Sequence, residues 1–327
     1  MTSTKSVNPV EAVLKNYDAL KLELFAEYEA NGGNATQAAH SVGIPERTAR
    51  KWIEKREGRV AVSKKENSMT ASPKRAKILL IPDTQVKPGV NTDHFEWLGK
   101  YMCDLDDKPT HVVHIGDHWD MESLSSYDKG KKSFEGRRYK KDIEAGNDAL
   151  DRMTNEVDLY NSTAESKFDP EWVYHFGNHE NRISRAIDVN PEYEGMIGYD
   201  DMKLDRWKKL SFLDVNVING VAFSHYFQTG MMGRPASSAK ALLNHKHMSC
   251  VQGHIQKVDI AYGENAIGET ITVLFCGTFY SHDEGYLGPQ GNGCYRGVWL
   301  LNEVENGNFQ LMQVSLDFLR RKYGGGK

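Results

Sequence analysis

The sequence lacks the features that would assign it to a membrane or to the secretory pathway. No apolar run approaches the ~20 residues that cross a bilayer, and the opening MTSTKSVNPVEAV has no apolar core typical of a secretory signal. The four cysteines are scattered and form no CxxC pair. We therefore expect reduced thiols instead of disulfides or a zinc knuckle, in a cytoplasmic protein without membrane contact.

Charge is unevenly distributed along the chain. Residues 1–76 contain 13 lysines and arginines against 9 acidic residues, whereas the remainder contains 28 against 36. The first part is therefore basic and the second part acidic, which is compatible with contact to nucleic acid. A solvated helix face followed by a charged linker would explain the same asymmetry.

The first 57 residues have the pattern of a helix-turn-helix domain. Apolar residues recur at helical spacing over residues 9–29, and a glycine pair at 32–33 ends this predicted helix. A short second helix stops at Gly43, and Pro45 suits the first turn of a third helix. Residues 58–76 are polar, rich in serine and lysine, and are predicted to be a linker. Helix, glycine-bearing turn and helix form the helix-turn-helix plan.

The stretch AAHSVGIPERTARKW resembles the helix-turn-helix of phage terminase small subunits and transposases. This resemblance implies that Arg47, Arg50 and Lys51 contact DNA phosphates or bases. A small helical bundle used for protein contacts is the alternative, because trihelical domains serve both purposes.

From residue 77 to residue 327 the pattern changes to short, continuous apolar runs, which are typical of strands buried on both faces. These predicted strands cover residues 78–81, 111–115, 172–176, 221–224 and 249–252, followed by 270–276, 298–304 and 309–314. Segments with helical spacing lie between several of them, at 94–105 and 137–160. We therefore predict a layered α/β domain with helices over buried strands.

Five of these predicted strands end in side chains that carry oxygen or nitrogen ligands. The segments are DTQ at 83–85, GDHWD at 116–120, GNHE at 177–180, SHY at 224–226 and GHIQ at 253–256. Because ligands bind beyond the carboxyl ends of strands in open α/β sheets, we expect these groups to converge. The glycines before Asp117, Asn178 and His254 permit tight turns. The pattern predicts a metal site.

These five segments, in this order, resemble the signature of calcineurin-like metallophosphoesterases: D-x-H or Q, GDxxD, GNH followed by D or E, an isolated His, and GHxH. The match covers residues 77–315. Each element alone is weak, but all five in order, each after an apolar strand, are specific. The resemblance implies a β-sandwich of two sheets flanked by helices, and hydrolysis of a phosphate ester with two divalent metal ions.

The same resemblance assigns roles to individual residues. The implied metal ligands are Asp83, Gln85, Asp117, Asn178, His225, His254 and Gln256. Asp117 would bridge the two ions. His179 would protonate the leaving oxygen, and Asp120 with Glu180 would orient it or a neighbouring ligand.

Two further residues are candidates for contact with the substrate phosphate. Arg182 follows the GNHE turn at helical spacing, and a guanidinium matches phosphate geometry, although a salt bridge would explain it equally. His118 lies inside the GDHWD segment, where a structural role is at least as plausible.

Glutamines replace histidines at two positions of the signature, Gln85 and Gln256. A glutamine can ligate only through its neutral carbonyl oxygen, so the first metal site becomes rich in oxygen. This favours Mn²⁺, with Mg²⁺, Zn²⁺ or iron as alternatives. A single tightly held metal, or loss of catalysis, would also be compatible with these substitutions.

The leading hypothesis is a metal-dependent phosphodiesterase that acts on nucleic acid, brought to DNA by its N-terminal domain. Such a combination resembles proteins of phage origin, which would act in the host cytoplasm. A phosphomonoesterase acting on proteins or nucleotides is one alternative, because the same residues serve both reactions. A DNA-binding protein with a weakened phosphoesterase domain is the other, and Gln85 and Gln256 support it.

Overall fold

A computed structural model describes residues 9–50, 52–53, 75–230, 232–285 and 288–325; the side chains of residues 9–18 and of Pro289 are not part of that description. Lys51 and residues 54–74, which include most of the predicted linker, therefore lie outside the described residues. The chain divides into two compact units, Met1–Ser72 and Pro73–Lys327. Among the helices described, none is both long enough and apolar enough to cross a bilayer.

The first unit contains helices α1 (Pro9–Ala30) and α2 (Ala35–Val42) and a third helical stretch, α3, over residues 46–50 and 52–53. The Asn34 side chain caps α2 by accepting a hydrogen bond from the Gln37 amide at 3.1 Å. Gly43 ends α2 with a φ of 72°, which a glycine adopts without strain. The three helices share a small core formed by Leu24, Ala38, Ala39, Ala49 and Ile53.

The second unit contains both helices and strands, as the alternation of patterns predicts. Its helices are α4 (Asp93–Asp104), α5 (Tyr139–Thr163), α6 (Arg182–Val189), α7 (Ala239–Lys246), α8 (Gly288–Gly291) and α9 (Leu316–Tyr323). Its strands are β1 (Ala76–Ile81), β2 (His111–His114), β3 (Glu171–His175), β4 (Lys208–Leu210), β5 (Asn216–Ile218), β6 (Val221–Ser224), β7 (Gln228–Thr229), β8 (Arg234–Pro235), β9 (Cys250–Gln252), β10 (Val258–Glu264), β11 (Thr270–Cys276), β12 (Gly297–Glu305) and β13 (Asn308–Ser315).

These strands form two large mixed sheets and one short ribbon of β7 and β8. The six-stranded sheet has the order β13-β12-β1-β2-β3-β4, and the five-stranded sheet has the order β10-β11-β9-β6-β5. Strands β1 to β4 are parallel to one another, and β6 is parallel to β9. The carboxyl ends of β1, β2 and β3 therefore lie at one edge of the first sheet.

The two sheets share one hydrophobic core, and helices cover their outer faces. Alternate residues of β1 divide between the two sides, because successive side chains of a strand point to opposite faces. Ile78 and Leu80 pack with residues of the five-stranded sheet such as Phe223. Leu79 and Ile81 pack with a cluster that includes residues of α4, α5 and α9. Helix α7 packs against the outer face of the second sheet.

Candidate metal centre

Five loops that directly follow strands carry the polar side chains that the sequence singled out. Asp83, Asp117 and Asn178 follow β1, β2 and β3 of the first sheet. His225 and His254 follow β6 and β9 of the second sheet. Because the sheets pack against each other, the two sets of loops meet, and the backbone amide of His254 donates to both carboxylate oxygens of Asp83 at 3.1 Å.

Glycines let these loops approach one another more closely than any other residue would permit. A Cβ atom on Gly177 would lie 2.1 Å from Oδ1 of Asp117, and one on Gly253 would lie 2.3 Å from Oδ1 of Asp83. Both separations are shorter than a van der Waals contact, so a side chain at either glycine would displace the carboxylate. The convergence of the carboxylates depends on the glycines that precede Asn178 and His254.

Four ligand atoms from four different loops converge at the centre of this cluster. Oδ1 of Asn178 lies 3.0 Å from Nε2 of His225 and 2.7 Å from Nδ1 of His254. Oδ1 of Asp117 lies 3.4 Å from Nε2 of His225. Asp117, His225 and His254 each offer one ligand atom, and these atoms lie within 4.8 Å of one another. Among the described residues, they form the group of three His, Cys, Asp or Glu side chains that could hold a metal ion.

The hydrogen bond on the far side of His225 fixes the orientation of its ring. Nδ1 of His225 lies 2.9 Å from the carbonyl oxygen of Ile115, which can only accept, so Nδ1 carries a proton. Nε2 is then left facing the oxygens of Asp117 and Asn178. Either a second proton or a metal ion must lie between these acceptors. A backbone carbonyl that orients a histidine in this way is typical of metal ligands.

Negative charge is also in excess around the ionisable groups of the cluster. Burial opposes protonation of His225, but the Asp117 carboxylate outweighs it and raises the pKa of this imidazole to about 9. Burial and the neighbouring charge of Asp117 raise the pKa of Asp83 to about 7. Two buried carboxylates beside imidazole nitrogens favour a positive charge among them, which either a proton on His225 or a divalent metal ion would supply. The residues present therefore fit a metal site.

Three of the predicted ligands have a left-handed backbone conformation, which several residues elsewhere in the chain also adopt. Gln85, Asp117 and His254 adopt φ angles of 38°, 53° and 62°, in the left-handed region that residues other than glycine rarely occupy. Such strain costs on the order of 1–3 kcal/mol for each residue and is commonly found at functional sites. In this protein, the left-handed conformation of these three residues sets the direction of side chains that are predicted metal ligands.

Glu180 ties the ends of β2 and β3 together. Its fully buried carboxylate accepts hydrogen bonds from the amides of Asp117, His118, Trp119 and Gly177, at 2.6 to 3.1 Å, and from the Tyr174 hydroxyl at 2.9 Å. Glu180 therefore fixes the loops that carry Asp117 and Asn178, instead of acting directly on His179.

His179 lies beside the cluster and is held by Asp120. Nδ1 of His179 lies 2.8 Å from Oδ1 of Asp120 and 3.0 Å from its carbonyl oxygen, so Nδ1 carries a proton. Nε2 is on the side of the cluster, 3.7 Å from Oδ2 of Asp117. Burial opposes the charged ring, but Asp117 and Asp120 outweigh it and raise the pKa of His179. A protonated ring could donate from Nε2.

Arg182 lies against His179 and the Asp120 backbone. Its Nη1 donates to the carbonyl oxygen of Asp120 at 2.6 Å, and its Nη2 lies 3.3 Å from Nε2 of His179. Because a guanidinium can only donate, Nε2 of a neutral His179 ring accepts this contact. The Asp120 carboxylate lies 3.5 Å from Nη1, which is a salt bridge of the kind given as the alternative, and contact of Arg182 with a substrate phosphate stays a prediction.

Sequence reasoning missed a second layer of charged residues behind Asp120. Nζ of Lys87 lies 2.7 Å from both carboxylate oxygens of Glu284 and 3.3 Å from Oδ2 of Asp120. Glu122 is 3.5 Å from the same ammonium group. Lys87 and Glu284 are separated by 197 residues, so no local pattern connects them. The ammonium group holds the outer oxygen of Asp120 while the inner oxygen faces His179.

The two glutamines of the predicted first metal site are less clearly arranged for ligation. Gln85 is buried, next to the loop of Asp83. Oε1 of Gln256 accepts a hydrogen bond from the Tyr280 hydroxyl at 3.2 Å, so the oxygen that would bind a metal is already engaged. The described residues thus assemble the predicted second site more completely than the first.

The prediction that His118 contacts substrate is wrong. The His118 side chain is fully buried, with Nδ1 2.7 Å from the Thr84 hydroxyl and Nε2 2.9 Å from the carbonyl oxygen of Gly146. Burial lowers its pKa to about 4, so the ring stays neutral. His118 instead joins β1, β2 and α5. A position next to a motif aspartate did not reveal that its side chain points into the core.

In the first unit, the structure describes two of the three residues that are predicted to contact nucleic acid. Arg47 and Arg50 are both exposed on α3. Arg50 forms a salt bridge with Glu46 at 2.7 Å and donates to the Thr36 hydroxyl at 3.1 Å. Lys51 lies outside the described residues, and contact of all three residues with nucleic acid stays a prediction.

Comparison with known proteins leaves this site to be interpreted from its own geometry. No protein-family model and no curated protein matches the chain. Among the solved structures that match, one crystal structure aligns with a TM-score of 0.35 and 12% identity, over 74% of this chain and 100% of its own. Similarity at this level carries no argument about function.

Proposed function

We propose that this protein is a metal-dependent phosphoesterase of the calcineurin-like type, which hydrolyses phosphodiester bonds in nucleic acid. The observation that carries the proposal is the convergence of Asp117, Asn178, His225 and His254 beside a histidine-aspartate pair. His179 presents a nitrogen to that cluster, and Asp120 fixes its opposite nitrogen. Metal ligands next to a positioned acid are the arrangement that hydrolysis of a phosphate ester needs.

The geometry supports the ligands of one ion, and the ligands of a second ion are those that the resemblance implies. Asn178, His225, His254 and Asp117 would hold one ion, and Asp83 with Asp117 would hold a second ion with help from Gln85 and Gln256. Bound divalent ions supply neutralisation of the phosphate charge and an activated water in such reactions. Because the first set is poor in imidazole and rich in oxygen, Mn²⁺ is the metal we favour.

In this proposal, side chains of the protein itself carry out the remaining steps. His179, protonated and donating from Nε2, gives its proton to the leaving oxygen as the ester bond breaks. Asp120 keeps the ring oriented by accepting from Nδ1. Arg182, which borders the same side of the cluster, binds a non-bridging phosphate oxygen and so positions the ester.

The fold supports the same assignment. Two mixed sheets share a core, helices cover the outer faces, and the site lies at the loops that follow parallel strands. We propose that this is the metallophosphoesterase β-sandwich. For the first unit we propose contact with DNA through Arg47, Arg50 and Lys51, with the exposed arginines of α3 in support.

Hydrolysis of bis-p-nitrophenyl phosphate and of p-nitrophenyl phosphate with added Mn²⁺ tests the proposal. We expect turnover of the diester that requires metal and falls by about 10²–10⁴-fold in His179→Ala. His247→Ala is the matched control, since His247 is exposed after α7 and away from the cluster loops.

Each of the other results has a clear meaning. Cleavage of the monoester alone would mean that the protein is a phosphomonoesterase and not a phosphodiesterase. Metal-dependent turnover that is equal in His179→Ala would remove His179 as the acid. The absence of any metal-dependent turnover would contradict the proposed activity and leave DNA binding as the leading function.

A further inference from the structure

A strongly basic segment follows directly on the loop that carries Asp120. Residues 126–141 contain seven lysines and arginines against two acidic residues, within a part of the chain whose overall balance is acidic. Three aromatic residues, Tyr127, Phe134 and Tyr139, are interleaved with these charges. Basic residues alternating with aromatic rings suit a flexible polyanion that carries flat bases.

Arg137 gives this segment a defined shape by turning inward. Its Nη1 donates to a carboxylate oxygen of Asp128 at 2.9 Å and to the carbonyl oxygen of Glu122 at 3.2 Å. The Glu122 carboxylate lies 3.5 Å from the same guanidinium. The Arg137 side chain is only 15% exposed, so it anchors the segment and is not available to a ligand.

The other cations of the segment are exposed, and one of them, Lys131, forms a salt bridge with Asp128 at 3.1 Å. Lys129, Lys132 and Arg138 are exposed, and the hydrogen bond of Arg138 goes to a backbone carbonyl oxygen instead of a carboxylate. Tyr127 is 77% exposed, which is unusual for a large aromatic side chain and leaves its ring open for stacking. The anchored segment thus presents three positive charges and one aromatic ring on a fixed support.

A chain of polar contacts joins the segment to the proposed acid. Glu122, which Arg137 contacts, lies 3.5 Å from Nζ of Lys87. Lys87 in turn lies 3.3 Å from Asp120, and Asp120 lies 2.8 Å from His179. The basic segment is therefore built onto the same set of side chains that positions His179, at the border of the site.

We propose that residues 126–138 bind a single strand of nucleic acid and lead it to the metal centre. Lys129, Lys132 and Arg138 contact successive phosphates, and a base stacks on Tyr127. A single strand fits better than a duplex, because a duplex keeps both faces of each base covered by its neighbours. This inference rests on the proposed function and names the form of its substrate.

Binding measured without metal separates this inference from the proposed hydrolysis. We would titrate the full chain, in EDTA, into a fluorescein-labelled oligothymidine of about eight nucleotides and follow anisotropy. We expect Lys129→Gln/Lys132→Gln/Arg138→Gln to bind roughly tenfold more weakly. The slope of log affinity against log salt should fall by about 2, since each single-strand phosphate contact contributes about 0.7. Tyr127→Ala should bind at least about fivefold more weakly.

A matched variant controls for the loss of three charges. Lys209→Gln/Lys240→Gln/Arg321→Gln removes three exposed cations from β4, α7 and α9, and it should bind as the wild type does. Equal weakening in both triple variants, no binding by the wild type, or unchanged binding by the loop variant would overturn the inference. A duplex of the same length whose binding weakens as much in the loop variant as that of the single strand would overturn the single-strand assignment. If loop-dependent binding is found without any metal-dependent turnover, the proposed hydrolysis fails and the loop assignment stands.

Discussion

At the scale of single residues, the site depends on which nitrogen of each histidine is already engaged. Nδ1 of His225 donates to the carbonyl oxygen of Ile115, and Nδ1 of His179 donates to the Asp120 carboxylate. Both rings therefore present Nε2 to the cluster, one as a proposed ligand and the other as a proposed acid. The same residue types serve two purposes because their outer hydrogen-bond partners differ in charge.

This difference predicts how activity depends on pH. Because His179 must be protonated to act as an acid, activity should fall as pH rises through its pKa, which the hydrogen bond to Asp120 raises. Asp120→Asn removes one of the groups that raise this pKa. We expect the alkaline limb of the kcat profile to move to lower pH, and kcat to fall about 10- to 100-fold.

Asp205→Asn, at an exposed position away from the site, is the control for the Asp120 substitution. Profiles of kcat against pH, measured with saturating Mn²⁺ for wild type and both variants, provide the comparison. An alkaline limb that stays in place in Asp120→Asn would show that Asp120 does not act through His179.

The sequence revealed the polar residues at the strand ends but not the residues behind them. Asp83, Asp117, Asn178, His225 and His254 lie within short segments whose order can be read directly. Lys87 and Glu284 meet only through the fold, and nothing in the local sequence of either residue indicates the other. His118 was misassigned for a related reason, since burial of one side chain within a polar turn is decided by tertiary packing.

At the scale of elements, strands with an apolar run were predictable, and a short exposed strand without such a run was not. The apolar runs at 78–81 and 172–176 correspond to β1 and β3, which are buried almost throughout. Strand β4 is largely exposed and begins with two lysines, so it carries no apolar run to recognise. The strand ends that carry the site belong to the buried class, which is why the site residues could be read before the fold was known.

Glycine at the end of β3 provides a test of the strand-end geometry. In Gly177→Ala the new methyl group would meet Oδ1 of Asp117 at 2.1 Å, so the carboxylate must move. A displacement of about 1 Å commonly costs on the order of 10²-fold in rate. We expect Mn²⁺ affinity and diester turnover both to fall, measured by calorimetry and by bis-p-nitrophenyl phosphate hydrolysis.

Gly285→Ala is the matched control, because a Cβ atom there meets nothing within 4 Å. It should bind Mn²⁺ and turn over substrate as the wild type does. If Gly177→Ala retained full metal affinity with an unchanged rate, close approach of the two loops would not be required for the site.

At the scale of the whole molecule, several histidines are buried in neutral form beneath the site. His94 packs against the rings of Phe95 and Phe279, with centroids 4.7 and 4.9 Å away. Burial lowers the pKa of His94 to about 3 and that of His175 to about 3. The second unit therefore carries basic groups that its folded state does not protonate at mildly acidic pH.

This arrangement predicts that acid destabilises the fold. Below pH 6.5 the unfolded chain takes up a proton at His94 whereas the folded chain does not, so the free energy of unfolding falls as pH drops. Between pH 7 and pH 5 the loss from His94 should be about 2 kcal/mol. Urea unfolding in EDTA at the two pH values measures it, and His94→Phe should reduce the pH dependence by that amount. An unchanged pH dependence in His94→Phe would show that His94 is protonated in the folded state.

The most direct test of the metal centre is an anomalous difference map from crystals grown with Mn²⁺, recorded near the manganese absorption edge. We expect a strong peak among Asp117, Asn178, His225 and His254, and a second peak beside Asp83 that shares Asp117. One peak alone would leave a single-metal site. No peak in this cluster, in crystals where the chain is otherwise folded as described, would contradict the proposal that these residues form a metal-dependent active site.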